Sequence, residues 1–231
     1  MFLLLALIYL IFISLGLPDS LFGAAWPVMH VDFNVNESFA SIYMIITAVG
    51  SGGVSFIAGP LIRKFGTGKV TVVSILLTAV GMLVIGFSVH IAMAICGSIL
   101  MGLGAGAIDT GLNNYVSTHY KARHMNWLHA FWGVGVTLSP IIMGAFLDRN
   151  NNWRGGYRCV SYIQFAIFAA SLFSLPLFKK YEHSVTVETL DGEVPDESAE
   201  ENENATENQA EEDGETPKKK KPAIFEILKI K

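Results

Sequence analysis

The apolar positions of this chain fall in long uncharged blocks rather than in a period-2 alternation. Residues 38–62 hold 25 residues without a charge, 70–89 hold 20, 91–108 hold 18, 124–147 hold 24 and 159–178 hold 20. A bilayer core about 30 Å thick needs about 20 mostly apolar residues per helix, and backbone polar groups in lipid must be paired within the element. Barrel strands are far shorter and alternate, so the blocks predict five membrane-spanning helices. Another precedes them, from about Phe2 to about Met29, interrupted only by Asp19. Its opening MFLLLALIYLIFISLGLP has the apolar content of a signal peptide. It lacks a positive n-region, however, and the apolar pattern resumes after Asp19 as SLFGAAWPVM. The expected fold class is an all-α membrane protein with six transmembrane helices over residues 1–180.

Composition agrees with that reading and adds a boundary. Of 231 residues, 52% are hydrophobic and 16% charged, against about 25% charged in soluble domains. The net charge of −4 divides unequally. Residues 1–180 carry ten Lys/Arg and five Asp/Glu, whereas residues 181–231 carry six and fifteen. The stretch 181–221, with DGEVPDESAEENENATENQAEEDGETP followed by KKKK, has too few apolar groups to offset the entropy of ordering and is expected to be a disordered acidic linker. PAIFEILKIK at 222–231 reads as the approach to a further element, the start of a missing second half. Cys96 and Cys159 both lie in apolar surroundings, which excludes a disulfide framework. No basic nucleic-acid-binding surface is evident.

Basic residues near helix ends set orientation, because they are retained on the cytoplasmic side. Arg63, Lys64 and Lys69 follow the second span, Lys121 and Arg123 the fourth, and Lys179 and Lys180 the sixth. Both termini are therefore expected in the cytoplasm, although Arg149, Arg154 and Arg158 on the opposite side mildly violate the rule. Asn36-Glu37-Ser38 on that outer side fits a short glycosylation pattern.

Polar residues inside the apolar blocks are the candidate chemistry. Asp19 lies mid-span beside Pro18, and a carboxylate at a span centre costs about 2.5–3.5 kcal/mol to insert. It is expected to face a polar cavity, to pair or to carry a proton; hydration at a helix break is the alternative. Asp109 is the second acid. Spacing of four puts Asn113 above it on one helical face with Asn114 beside. Three hydrogen-bonding side chains so close together argue for a water-lined or substrate-lined cavity, with bonding to adjacent helices as the structural alternative. His129 and Trp132 lie deeper than Trp127, an expected interfacial anchor, and suit hydrogen bonding and stacking on a sugar ring. Gln164 and Asn126 are weaker candidates. Small residues at Ser98, Gly102 and Gly106, and at Gly50, Gly52, Gly53 and Gly59, are expected to let helix backbones approach closely. No HExxH, CxxC, Walker or dinucleotide-binding pattern occurs. Neither a cofactor nor a metal is expected, and an enzyme is disfavoured because no nucleophile, base and orienting group converge.

Six spans, a short basic loop after the second and a charged stretch after the sixth resemble the amino-terminal half of the major facilitator superfamily. Its loop motif, Gly-x-x-x-Asp-Arg-x-Gly-Arg-Lys, is partly matched by GPLIRKFGTGK: Gly59, Lys64, Phe65, Gly66, Gly68 and Lys69 fit, while Arg63 occupies the acidic position and Thr67 an arginine position. The resemblance implies a gating loop made by Gly59, Arg63, Lys64, Gly66 and Lys69, but without the acid that contributes to the family's charge relay. GLPDSLFGAAWP, GAGAIDTGLNNY and NWLHAFWGVGVTLSP further resemble the fucose-permease-like sugar transporters. That likeness implies a central sugar site with acids at Asp19 and Asp109. The fourth-helix arginine of drug and proton antiporters would fall at Ser98, which weakens an efflux reading.

The function expected from residues and resemblance together is secondary active transport of a small polar solute, a sugar in the family's terms, by alternating access with proton coupling. Expected partners are the lipid bilayer, the solute, protons and a carboxy-terminal transporter half or a second copy of the chain. The competing expectation is a truncated, non-transporting membrane protein or an accessory module.

Overall fold

The computed structural model describes residues 2–148, 150–176 and 178, and these lie in one compact unit. The linker and the start of a further half, expected over 181–231, lie outside the described residues. Six helices form: α1 Phe2–Asp32, α2 Phe39–Phe65, α3 Thr67–Gly86, α4 Ile91–His119, α5 Ala122–Leu147 and α6 Trp153–Phe173. Five, α1 to α5, are long and apolar enough to cross a membrane. The sixth expected span also folds as a helix, but it begins six residues before the uncharged block. Arg154 and Arg158 therefore sit within its first two turns. Its buried positions, including Tyr157, Val160, Ser161, Gln164, Ile167 and Ser171, make one face.

Connections are short. α2 and α3 are joined through Gly66 alone, whose φ of 83° lies in the region that favours glycine. Asn34, Asn150 and Asn151 also have positive φ, in keeping with the tolerance of asparagine for left-handed turns. Asn152 caps α6 by accepting from the Gly155 N–H at 3.0 Å. In the α1–α2 loop the Asn36 side chain accepts from both the backbone N–H and the hydroxyl of Ser38.

Packing proceeds from α2 to α4, α3, α6, α1 and α5, so α2 and α5 stand at the two ends of the series. They are also the least buried apolar helices. Phe56, 89% exposed on α2, and Ile141, 64% exposed on α5, would be costly in water but are ordinary against lipid or another apolar helix. Two apolar clusters fill the interior. One centres on Phe22, Trp26, Tyr43 and Trp153, the other on Phe12, Ile75, Tyr115 and Phe178.

Glycine governs the α2–α4 crossing, on different positions from some of those expected. A Cβ on Gly102 would come within 2.5 Å of the Thr47 carbonyl oxygen, and one on Gly106 within 2.2 Å of that of Ser51. The α4 stripe therefore seats α2, as its spacing predicts. The glycines of α2 do not make the reciprocal contact, because Gly52 and Gly53 face open space and Gly50 makes only ordinary contact. The α2 surface at the crossing is instead its own backbone at Thr47 and Ser51.

Proline explains two polar contacts deep in the bundle. Pro18 lacks the N–H that would bond the Ser14 carbonyl four residues earlier, and Gln164 Nε2 donates to that oxygen at 2.6 Å from α6. Pro140 likewise frees the Val136 carbonyl, which accepts from the Ser20 hydroxyl at 2.6 Å. In lipid such freed carbonyls have no water to turn to, so a side chain from the neighbouring helix replaces the missing donor. Gln164→Leu is expected to destabilise the fold by about 1–3 kcal/mol. Pro18→Ala restores the helical N–H, so the same Gln164 change in that background should cost less, as a thermal-unfolding double-mutant cycle will read.

A second polar cluster ties together the ends of α1 and α3 and the start of α6. Asp32 Oδ2 accepts from the Trp153 indole at 3.0 Å and from the Arg154 guanidinium, while Arg154 Nε donates to the Ser88 carbonyl at 2.7 Å. The Arg158 guanidinium lies over the Phe87 ring at 5.1 Å. Two of the three arginines that departed from the orientation rule are thus engaged locally.

Candidate functional site

A cavity of about 280 Å³ opens between α1, α2, α4 and α5, with Asp19, Ser51, Asp109, His129 and Trp132 in its wall. Both carboxylates reach it by the same local device. Gly16-x-x-Asp19 on α1 and Gly106-x-x-Asp109 on α4 place a glycine at a helix crossing three residues before the acid. A Cβ on Gly16 would lie 2.2 Å from the Trp132 carbonyl oxygen on α5, and Gly106 meets Ser51 on α2 as described above. Each close crossing therefore brings a residue of the opposing helix to the wall beside an acid. Ser51 was not among the sequence candidates: its place in the wall depends on which backbone Gly106 meets across the α2–α4 crossing, and residue type alone does not suggest it.

Trp132 is more specific than a stacking surface. Its indole Nε1 donates to Asp19 Oδ2 at 2.8 Å, a charge-assisted bond when the acid is ionised. Asn113 Nδ2 donates to Asp109 Oδ1 at 2.8 Å, the contact implied by their spacing of four. The Asn113 side-chain oxygen, Oδ1, is buried without a protein partner. His129 stands edge-on to Phe12 with ring centroids 6.3 Å apart. Among the described residues, no Arg or Lys lines the cavity wall.

The remaining sequence candidates separate from this group. Asn114 is exposed, and its carbonyl accepts from the Ser117 and Thr118 hydroxyls outside the cavity wall. Gln164 is buried against Ser14, where it replaces a donor lost to proline instead of facing solute. Asn126 and Trp127 are exposed at the start of α5. A neighbouring cavity of about 270 Å³ shares Asp19, Ser51 and Ala105 and is otherwise lined by groups such as Pro18, Phe22, Tyr43, Thr47 and Met101. Phe22 and Tyr43 stack with centroids 4.0 Å apart. Each cavity approaches the lower end of the range for small-molecule sites.

The basic loop lies elsewhere, at the junction of α2 and α3. Arg63, Lys64 and Lys69 are exposed, and Lys64 Nζ sits 5.3 Å from the Phe65 ring centroid. Gly59 lies one turn before Arg63, whose guanidinium would be 3.6 Å from a Cβ there. Among the described residues the ion pair is Asp32 with Arg154, so the loop has no carboxylate clasp of the kind its motif position would supply. Gly68 is covered by Phe178, which a Cβ would meet at 2.8 Å.

The bundle thus carries two acids in the wall of one cavity and a basic turn between its second and third helices. The chain belongs to the Major Facilitator Superfamily, whose profile matches residues 8–229. It is 30% identical over 177 residues to the acurin A biosynthesis cluster MFS-type transporter of Aspergillus aculeatus, covering 71% of this chain and 31% of that protein. It is 23% identical over 175 residues to the glucose/mannose transporter GlcP of Bacillus subtilis, covering 75% and 43%. The quinolone resistance protein NorB of Staphylococcus aureus is 28% identical over 109 residues, covering 47% and 24%. The chain thus spans less than half the length of these relatives. Members of the superfamily are multi-pass membrane transporters, which accounts for the apolar helices.

Proposed function

We propose that these six helices form one half of a secondary active transporter that moves a small polar solute, a sugar, by alternating access coupled to protons. The observation supporting this most is the one cavity that gathers Asp19 and Asp109 with no Lys or Arg among the described residues of its wall. Two carboxylates lining one cavity repel each other unless a proton or another cation joins them. Trp132 and His129 supply an aromatic face and a hydrogen-bonding ring for a hydroxylated solute, in line with the fucose-permease-like motifs and the sugar-transporting relative. The short coverage of relatives and the apolar faces of α2 and α5 support a complementary carboxy-terminal half, or a second copy, packed across the cavity. The proposed setting is the cell membrane with both termini cytoplasmic, following the basic turns.

Export of an amphipathic small molecule is the second reading. It draws on the adjoining cavity with its stacked Phe22 and Tyr43, and on relatives named for drug resistance and a biosynthesis cluster. The test is uptake of a radiolabelled sugar panel into proteoliposomes, with and without an inward proton gradient. The chain alone is compared with the chain joined to the coding region immediately downstream. Gradient-driven sugar accumulation is the expected result in at least one preparation. Sugar-independent export of an amphipathic dye would replace it with the second reading.

A further inference from the structure

An apolar groove of about 550 Å³ runs between α2 and α3 on the side away from the acidic cavity. Ile57 and Leu61 form one wall, Val73 and Leu77 the other, and Leu103 of α4 lies in its floor. The groove exists because α2 and α3 each pack closely on α4 but only sparsely on each other. The glycines of α4 draw α2 in at Thr47 and Ser51, and Gly104 draws in α3, with a Cβ there only 2.5 Å from the Ser74 carbonyl oxygen. The gap between them is therefore a consequence of two separate crossings on a shared helix.

One end of this groove is polar. Phe65 and Lys69 close it beside the one-residue turn at Gly66, and Arg63 and Lys64 lie in the last turn of α2 next to it. Between Glu37 and Asp109 the sequence contains no acidic residue, so neither helix supplies a carboxylate to these cations. Val73 and Ile57, each 55% exposed, leave the apolar length accessible from the membrane side. Counted from Val54 to Phe65, the groove wall on α2 extends about 16 Å at 1.5 Å per residue, which is long enough for much of a lipid tail within one leaflet of a core about 30 Å thick.

We infer that this groove is a binding site for one anionic phospholipid, its acyl chain between α2 and α3 and its phosphate at Lys69 with Arg63 and Lys64 around it. Charge complementarity selects the occupant: a neutral lipid satisfies the apolar wall but leaves three cations clustered at the headgroup level. A basic residue near an anionic surface favours it by about 1 kcal/mol, a factor of about five in affinity. The site is separate from the acidic cavity and does not depend on which solute that cavity takes. Its position beside the Gly66 turn means that occupancy would brace α2 against α3.

The full chain, solubilised in detergent, is equilibrated with equal amounts of phosphatidylglycerol and phosphatidylcholine bearing identical acyl chains, and bound lipid is counted by native mass spectrometry. The wild type is expected to retain phosphatidylglycerol at least about five-fold over phosphatidylcholine. Lys69→Gln should lower that ratio about five-fold, Lys69→Arg should keep it, and Val73→Trp, which fills the groove from a half-exposed position, should remove the retained lipid. Arg123→Gln, a cation at the start of α5, should leave the ratio unchanged. Equal retention of the two lipids by the wild type overturns the inference, as does a ratio that survives Lys69→Gln.

Discussion

Gly135→Ala is expected to lose about 3 kcal/mol or more of stability and most of the folded yield. A Cβ at this position would lie 2.0 Å from the Ile13 carbonyl oxygen and 3.1 Å from the Gly16 Cα. Both obstacles are backbone atoms, so no rotamer change relieves them, and α1 and α5 must separate along the crossing. Overpacking with flexible neighbours costs about 1–3 kcal/mol; a rigid backbone obstacle belongs at or above that range. The separation would also pull the Ser20 hydroxyl from the Val136 carbonyl that Pro140 leaves without a helical donor, adding an unsatisfied group in lipid. Gly133→Ala is the control, since a Cβ there meets nothing within 4 Å. It should hold or gain up to about 1 kcal/mol from helix propensity. Thermal unfolding of both variants in the same detergent separates the close crossing from a general effect of adding a methyl group. Equal stability of the two variants would show that the α1–α5 approach contributes nothing.

The helices were legible because charge-free length is a direct consequence of the bilayer, and no tertiary detail is needed to recognise it. Their ends were less so. α4 continues through Asp109, Asn113 and Asn114 to His119, because helical hydrogen bonding does not stop where hydropathy does. α6 starts among arginines, since Arg154 finds Asp32 and the Ser88 carbonyl at the bundle end. The Asp109 and Asn113 contact followed from helical spacing alone. The Trp132 to Asp19 bond did not, because it joins residues 113 positions apart and depends on how closely Gly16 and Gly135 let two helices approach. Gln164 misleads for a related reason. A polar side chain inside an apolar block has two common employments, solute and orphaned backbone, and only the position of Pro18 across the α1–α6 contact distinguishes them.

Asp19→Asn is expected to lower proton-driven solute accumulation at least about tenfold in whichever preparation transports, while leaving gradient-independent solute exchange within about twofold. An amide occupies nearly the same volume as the carboxylate and still presents an oxygen to the Trp132 indole, so the wall of the cavity survives. What it lacks is the ability to take up and release a proton in the working range. Coupling is therefore removed without removing the site. Trp132→Phe tests the same contact from the other side, keeping a ring but deleting the N–H that now sits 2.8 Å from the carboxylate. A hydrogen bond to a charged group contributes about 1.5–3 kcal/mol, so the single change should slow accumulation by at least about tenfold. If the indole acts through Asp19, the double variant should be no slower than Asp19→Asn alone, the non-additivity expected of residues in direct contact. Additive losses would instead assign Trp132 to the solute. Undiminished proton-driven accumulation by Asp19→Asn would remove Asp19 from the coupling path and leave Asp109, with Asn113 bonded to it, as the acid to replace next.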